Sequence, residues 1–216
     1  MIMTKYTVAT AMKEVGGLGK PSKMPGFSYS VPAQECKTGS KLVKIKGSVC
    51  HNCYALKGNY VRFPMVGKAL YNRLDLVENN PKWVGAMAFL INWYASKTTH
   101  FRWHDSGDIQ SVKHLTKIVE VCKLTPNVKH WLPTREAKMV KEYLKDYGSF
   151  PSNLIVRVSA TMVDGEPHKF HEHTSTVVTS KSDKGYTCPA PTQGNECKDC
   201  RACWDKGVSN VAYLEH

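Results

Sequence analysis

The first alternating run of the chain is Phe27-Ser28-Tyr29-Ser30-Val31, which predicts a short strand ended by Pro32. Everything before it, through Gly16-Gly17 and Pro21 to Pro25, reads as an irregular arm. A second alternation from Lys41 to Lys46 predicts a hairpin arm, and Gly47 leads on into Cys50 and Cys53. The pattern then changes period. Val66 to Val77 and Trp83 to Tyr94 space their apolar residues as helices do. Phe101 to Trp103 predicts a strand, and Val112, Leu115, Ile118, Val119 and Cys122 mark the apolar face of a helix. Strand and helix follow again at Val128 to Leu132 and Glu136 to Leu144. Leu154 to Val158 and Thr176 to Val178 close the series as strands.

Alternation of this kind belongs to parallel α/β architecture, because a helix must carry the chain back between parallel strands. Five or six strands are expected. A complete eight-stranded barrel usually takes roughly 250 residues, so 216 residues fit an α/β fold with a partial or open parallel β/α barrel. Residues 1–179 form that barrel with its N-terminal arm. Residues 180–213, rich in Gly, Pro and Cys, are expected to leave the β/α pattern and pack on it as a metal-binding segment. Leu214 to His216 is read as the join to a truncated tag and is set aside.

Composition narrows the setting. The most apolar stretch, Trp83 to Tyr94, is interrupted by Gly85 and Asn92, so no membrane span is expected. Met1 to Tyr6 lacks a basic head followed by an apolar run, so a secretory signal is not expected and a cytoplasmic location is. A chain of this size builds its own core, which argues against a disulfide scaffold and for reduced cysteines reserved for metal. The formal charge of +12 favours polyanions. However, the lysines are spread from Lys5 to Lys206 with no basic block interleaved with exposed aromatics, so nucleic acid is kept as an alternative partner.

Seven of the eight cysteines fall into two groups. Cys188, Cys197, Cys200 and Cys203 lie in C-P-A-P-T-Q-G-N-E-C-K-D-C-R-A-C-W. Overlapping C-x2-C-x2-C suits three corners of one [4Fe-4S] cluster, with Cys188 as the fourth thiolate. Zinc, which commonly takes two separated C-x2-C pairs, is the alternative. Trp204 either shields that cluster or anchors the core. Cys36, Cys50 and Cys53 follow the first strand with no evident fourth cysteine. Three thiolates on a second cluster leave one iron for a substrate, or for the amino and carboxylate groups of S-adenosylmethionine; a zinc site completed by His51 is the other reading. Cys122 belongs to an apolar helix face and reads as a buried structural thiol.

Other polar residues gather after the strands. His104, Asp105, Ser106 and Asp108 either bind a ligand or, for the two acids, cap the next helix. Arg102 alternates toward a barrel interior. Arg157 and Ser159 share one side of their strand, and Arg135 follows another strand. Together Arg102, Arg135 and Arg157 suit a carboxylate or phosphate, or else neutralise buried acids. His168, His171 and His173 are expected to face solvent.

C-H-N-C-Y-A-L-K-G-N-Y from Cys50, A-L-Y-N-R from Ala69, F-R-W-H-D-S-G-D from Phe101 and the C-terminal cysteine run together resemble the phage- and plasmid-borne gene product 88 family, from about Pro32 to Trp204. A more distant similarity is to radical S-adenosylmethionine proteins, which carry a three-Cys cluster after the first strand of a complete or partial barrel. In that comparison Cys36, Cys50 and Cys53 are the ligands. The thirteen residues between the first two are a wider gap than that family's, and no Gly-Gly-Glu segment follows a second strand. The functional expectation is electron transfer or radical-type chemistry with a redox protein or small-molecule substrate. The alternative is a non-enzymatic metal-stabilised phage or plasmid protein that binds protein or nucleic acid.

Overall fold

A computed structural model describes residues 6–181 and 184–215. Met1 to Lys5, read above for a secretory signal, and His216 lie outside them. Seven strands form one parallel sheet: β1 (Phe27–Tyr29), β2 (His100–Trp103), β3 (Lys129–Thr134), β4 (Leu154–Ser159), β5 (Thr174–Val178), β6 (Tyr186–Thr187) and β7 (Asn210–Leu214). Their order is β1-β2-β3-β4-β5-β7-β6. The first five strands follow chain order, which is the winding of a β/α barrel and not of a doubly wound sheet. The sheet stays open, with β1 and β6 as its edges.

The helices are α1 (Val8–Val15), the short α2 (Gly39–Leu42) and α3 (Asn59–Arg62), then α4 (Pro64–Asn79), α5 (Trp83–Tyr94), α6 (Val112–Leu124) and α7 (Ala137–Tyr147). Trp83, Met87 and Leu90 of α5 and Leu115, Ile118 and Cys122 of α6 share one buried cluster with Phe101, Trp103, Leu132, Val156 and Val158 of the strands. Strand periodicity therefore sends Arg102, Trp131, Arg157 and Ser159 to the opposite, inner face. Two contacts confirm that sharing: the Arg102 guanidinium lies 4.7 Å over the Trp131 ring, and the Ser159 and Ser175 hydroxyls are 2.8 Å apart. Cys122 is fully buried on the helix side, as its helix face required.

Several local expectations are corrected. The N-terminal arm contains α1, started by a capping box between Thr7 and Thr10 and stopped by Gly16 at a φ of 74°. Lys41 to Lys46 is no hairpin arm: it runs through α2 into turns, because its lysines face solvent and no strand lies beside it. The segment after Ser180 does extend the sheet. Val211 and Tyr213 alternate along β7, which pairs with β5 from Thr174↔Asn210 to Val178↔Leu214. Leu214 is thus an integral strand residue.

Among the described residues, no helix is long and apolar enough to cross a membrane. The expectation that no basic block carries exposed aromatics is corrected too. Tyr54, Phe63 and Tyr71 are exposed among Lys57, Arg62 and Lys68, which are also exposed.

Candidate metal centres

The front cysteines sit above the carboxy ends of the first strands, where parallel β/α folds place their sites. After β1 a single turn, Ala33–Glu35, delivers Cys36. The next residues are tied to the start of α7: the Thr38 N–H and hydroxyl each donate to the Glu136 carboxylate, both at 2.7 Å. The chain returns through α2 and is clipped to the loop after β4 by the Val49 N–H donating to the Thr161 carbonyl at 2.9 Å. Cys50 follows, and one further turn brings Cys53, whose N–H donates to the Cys50 carbonyl at 3.1 Å. A Cβ added to Gly39 would crowd Cys36 Cβ at 3.0 Å, with Cys50 Sγ at 3.6 Å and Cys36 Sγ at 3.7 Å, so two sulfurs flank one backbone position.

Burial raises the Cys36 thiol, and Asp108, Cys53, Cys50 and Glu136 push it the same way. Burial also raises Cys50, but there the Arg135 guanidinium favours the thiolate. Asp108 is buried and accepts hydrogen bonds from the Thr134 hydroxyl, the Arg135 N–H and the Ile109 N–H, at 2.6, 2.8 and 2.8 Å. Burial pushes its acid up to about 6 despite those donors. Neither Asp105 nor Asp108 caps the next helix. Gly107, at a φ of 77°, turns the chain hard against Val31 and aims Asp108 at β3, so the cap falls to Ser111, whose hydroxyl accepts from the His114 N–H at 3.0 Å.

The remaining residues of that loop divide. His104 adopts a φ of 55° and packs edge-on against His114, its centroid 5.3 Å away, where burial keeps it neutral. Ser106 is spent on the Val31 carbonyl. The Asp105 carbonyl accepts the Tyr54 hydroxyl, and one of its carboxylate oxygens accepts the Tyr60 hydroxyl at 3.4 Å. Asp105 Oδ1, Arg102 Nε, Arg135 Nε and Trp131 Nε1 are buried without a hydrogen-bond partner. Such groups are costly unless something polar meets them.

The rear cysteines cover the inner face of the sheet. Cys188 follows β6, and its N–H donates to the Ala212 carbonyl of β7 at 2.8 Å. A turn over Ala190–Gln193 leads to Cys197, and the Cys200 N–H donates back to the Cys197 carbonyl at 2.8 Å. The turn Ala202–Trp204 holds Cys203 against the sheet. Cys203 Sγ is 3.1 Å from the Tyr213 hydroxyl, and Cys200 Sγ is 3.6 Å from that of Tyr186. Burial pushes the Cys203 thiol up to about 12, opposed by the Tyr213 hydrogen bond and by Arg157 and Arg102. Burial raises Cys197 and Cys188 as well; Cys188 and Cys200 push Cys197 further, while the Ala190 N–H favours the Cys188 thiolate.

Three side chains build this floor. Trp204 is a core anchor, with Nε1 donating to the Phe101 carbonyl at 2.9 Å and its ring edge-on to Trp131 at 5.1 Å. Arg157 is fully buried and donates to the carbonyls of Cys203, Thr174, Ser209, Ala202, Asp205 and Val208. It therefore clamps the rear loop and does not converge with Arg135. Arg102 lies between the centres. Burial would lower it, but Tyr54 and Asp105 on one side and Tyr213 and Cys203 on the other outweigh that and favour its charged form.

His168, His171 and His173 are not the solvent-facing run expected. His173 is buried and His171 half-buried, with ring nitrogens on the Lys206 and Val156 carbonyls, because the segment packs across the end of β4. The signals that sequence reading missed are Glu136, which ties down the Cys36 loop, and Tyr213, whose alternation with Val211 marks β7.

All eight cysteines are unbridged. Among the described residues, no three His, Cys, Asp or Glu side chains converge tightly enough to hold a single metal ion as they stand. The fold and its two cysteine groups define a singly wound, open parallel α/β protein with unbridged cysteines on the inner face and at the carboxy end of one sheet. The chain matches the model of the family described as Gene product 88 over residues 3–206, and it belongs to that family. No curated protein and no solved structure matches it, so the similarity to radical S-adenosylmethionine proteins gains no support there.

Proposed function

We propose that this phage- or plasmid-type protein is an iron–sulfur protein with a closed rear centre and an open front one. The observation that carries the reading is the gathering of seven unbridged cysteines into two groups, each with an arginine that favours the thiolate. Four thiolates spaced as C-x2-C-x2-C with Cys188 as a remote fourth suit a four-iron cluster, and zinc is the alternative that metal analysis separates from it. When bound, such a cluster supplies one-electron transfer.

The chain's own residues divide the work. Cys188, Cys197, Cys200 and Cys203 enclose the rear group, and the Tyr213 hydroxyl and the Arg157 and Arg102 charges offset thiolate charge there. Hydrogen bonds and cations beside sulfur shift a cluster's potential. At the front, Cys36, Cys50 and Cys53 are ligands and Arg135 offsets their charge. Arg102 Nε, Arg135 Nε and Asp105 Oδ1 are unspent, two donors and an acceptor suited to a small zwitterion. S-adenosylmethionine is one member of that class. Trp131 touches both Arg102 and Trp204, packing the floor of the rear group against the side chain that faces Asp105 and Tyr54.

Paired substitutions test this reading. Cys50→Ala should lose the front iron and keep the rear; Cys200→Ala should do the reverse. Loss of all iron in both variants would overturn two separate centres. A second reading, a metal-stabilised protein without catalysis, is favoured by β6 and β7 flanking the rear cysteines, which makes metal there a folding element. Spectra of the reduced protein that do not change when S-adenosylmethionine is added, with no cofactor bound, would favour that second reading.

A further inference from the structure

From residue 36 to residue 74 the chain contains no Asp or Glu. That stretch wraps the front centre and exposes Lys41, Lys44, Lys46, Lys57, Arg62 and Lys68. It also exposes aromatic rings between those cations: Tyr54 is 59%, Phe63 49% and Tyr71 47% accessible. Core-forming rings do not remain this open, and three of them in one basic segment call for a partner. Contacts tie parts of the segment to one another. His51 bonds the Val43 carbonyl, joining the two loops, and Tyr71 reaches back to Glu35 at 3.3 Å, joining α4 to the turn before Cys36. Arg62 stands 5.8 Å over the Phe63 ring, so cation and ring are presented together.

We infer that this cap binds single-stranded nucleic acid, with phosphates on the lysines and arginine and bases stacked on Phe63, Tyr71 and Tyr54. Charge complementarity selects a polyanion, and a net charge of +12 reinforces it over distance. The interleaved rings select unpaired bases over duplex, since stacking needs a free base face. An anionic membrane is the competing surface. It would call for a continuous apolar face along an amphipathic helix. Here the exposed apolar side chains Val61, Phe63 and Met65 lie at the α3–α4 junction, Tyr54 on a turn and Tyr71 on α4, with cations between them, so no single helix presents a continuous apolar face. The inference stands whether or not the front centre holds iron.

Fluorescence anisotropy of a labelled thymidine 20-mer with the full chain tests it, over a salt series. Binding is expected at low salt, weakening linearly on a log–log plot. A duplex of equal length should bind more weakly. Phe63→Ala or Tyr71→Ala should each weaken binding roughly 5- to 100-fold, while Tyr71→Phe keeps wild-type affinity. Lys57→Gln with Arg62→Gln should flatten the salt slope by about 0.7 per phosphate contact removed. These side chains are exposed, so an unchanged circular dichroism melt shows that the variants fold. No binding at low salt, wild-type affinity in both alanine variants, duplex bound as tightly as single strand, or capture by phosphatidylserine vesicles without binding of the 20-mer would each overturn the inference.

Discussion

Arg157 Nε donates to the Cys203 carbonyl at 3.1 Å, from the centre of the sheet to the loop that carries the rear cysteines. The other guanidinium nitrogens reach five more carbonyls, from Thr174 to Ser209, and no carboxylate is among the partners. A buried cation is held here by backbone carbonyl dipoles. This one side chain ties the rear loop to the sheet at six points.

Arg157→Met should accordingly destabilise the protein by about 3–5 kcal/mol, the usual cost of leaving buried polar groups unpaired. Urea unfolding measures this. Metal content should fall at the rear centre first, and Arg157→Lys should rescue only part, since an ammonium cannot reach all six carbonyls.

Glu136 gives a more selective test. It accepts both the Thr38 N–H and hydroxyl, so it positions the loop that ends in Cys36. Glu136→Ala should lower front metal affinity about 10-fold or more, the scale seen for groups that orient ligands. The rear centre should be unaffected. Metal titration of Cys200→Ala protein with and without the Glu136 change reads the front centre alone.

Three buried histidines set the acid response. Burial lowers His114 and His130 to about 3, and holds His104 well below its ordinary value. Depressed folded values mean that the unfolded chain takes up protons first as pH drops below about 6.5. Stability is present above that point and is lost as pH falls toward the folded values. Three sites contribute up to about 4 kcal/mol per pH unit, offset in part by Asp108, whose raised acid takes up its proton first in the folded chain. His130→Gln, which spares the other groups, should reduce the slope by up to about 1.4 kcal/mol per pH unit in urea titrations between about pH 6.5 and 5.

Much of the scaffold was legible because four strands carry apolar side chains at their core-facing positions and helical faces follow β2 and β3 at the expected spacing. Trp83–Tyr94 reads directly as a helix because Trp83, Ala86, Met87, Leu90 and Ile91 recur at the three- and four-residue spacing of one helix face. Strand β7 was hidden because Asn210 to Leu214 has no crossover helix before it, only a turn through Asp205 and Gly207. Helix α1 was hidden because its capping box uses Thr10 where Glu or Gln is usual. The cysteine groups were visible from spacing alone. What supports them was not: Arg157 looks like a ligand arginine in sequence, and only its six carbonyl partners reveal a clamp. Glu136 carries no motif at all, since its partner, Thr38, is distant along the chain.

The proposed function requires thiolates to hold two iron–sulfur clusters. Iron and acid-labile sulfide measured on protein purified without oxygen test it most directly. Brown protein with iron and sulfide in equal amounts is expected, about half of each lost in Cys50→Ala and the other half in Cys200→Ala. Colourless protein that contains zinc and no sulfide after the same preparation would contradict it.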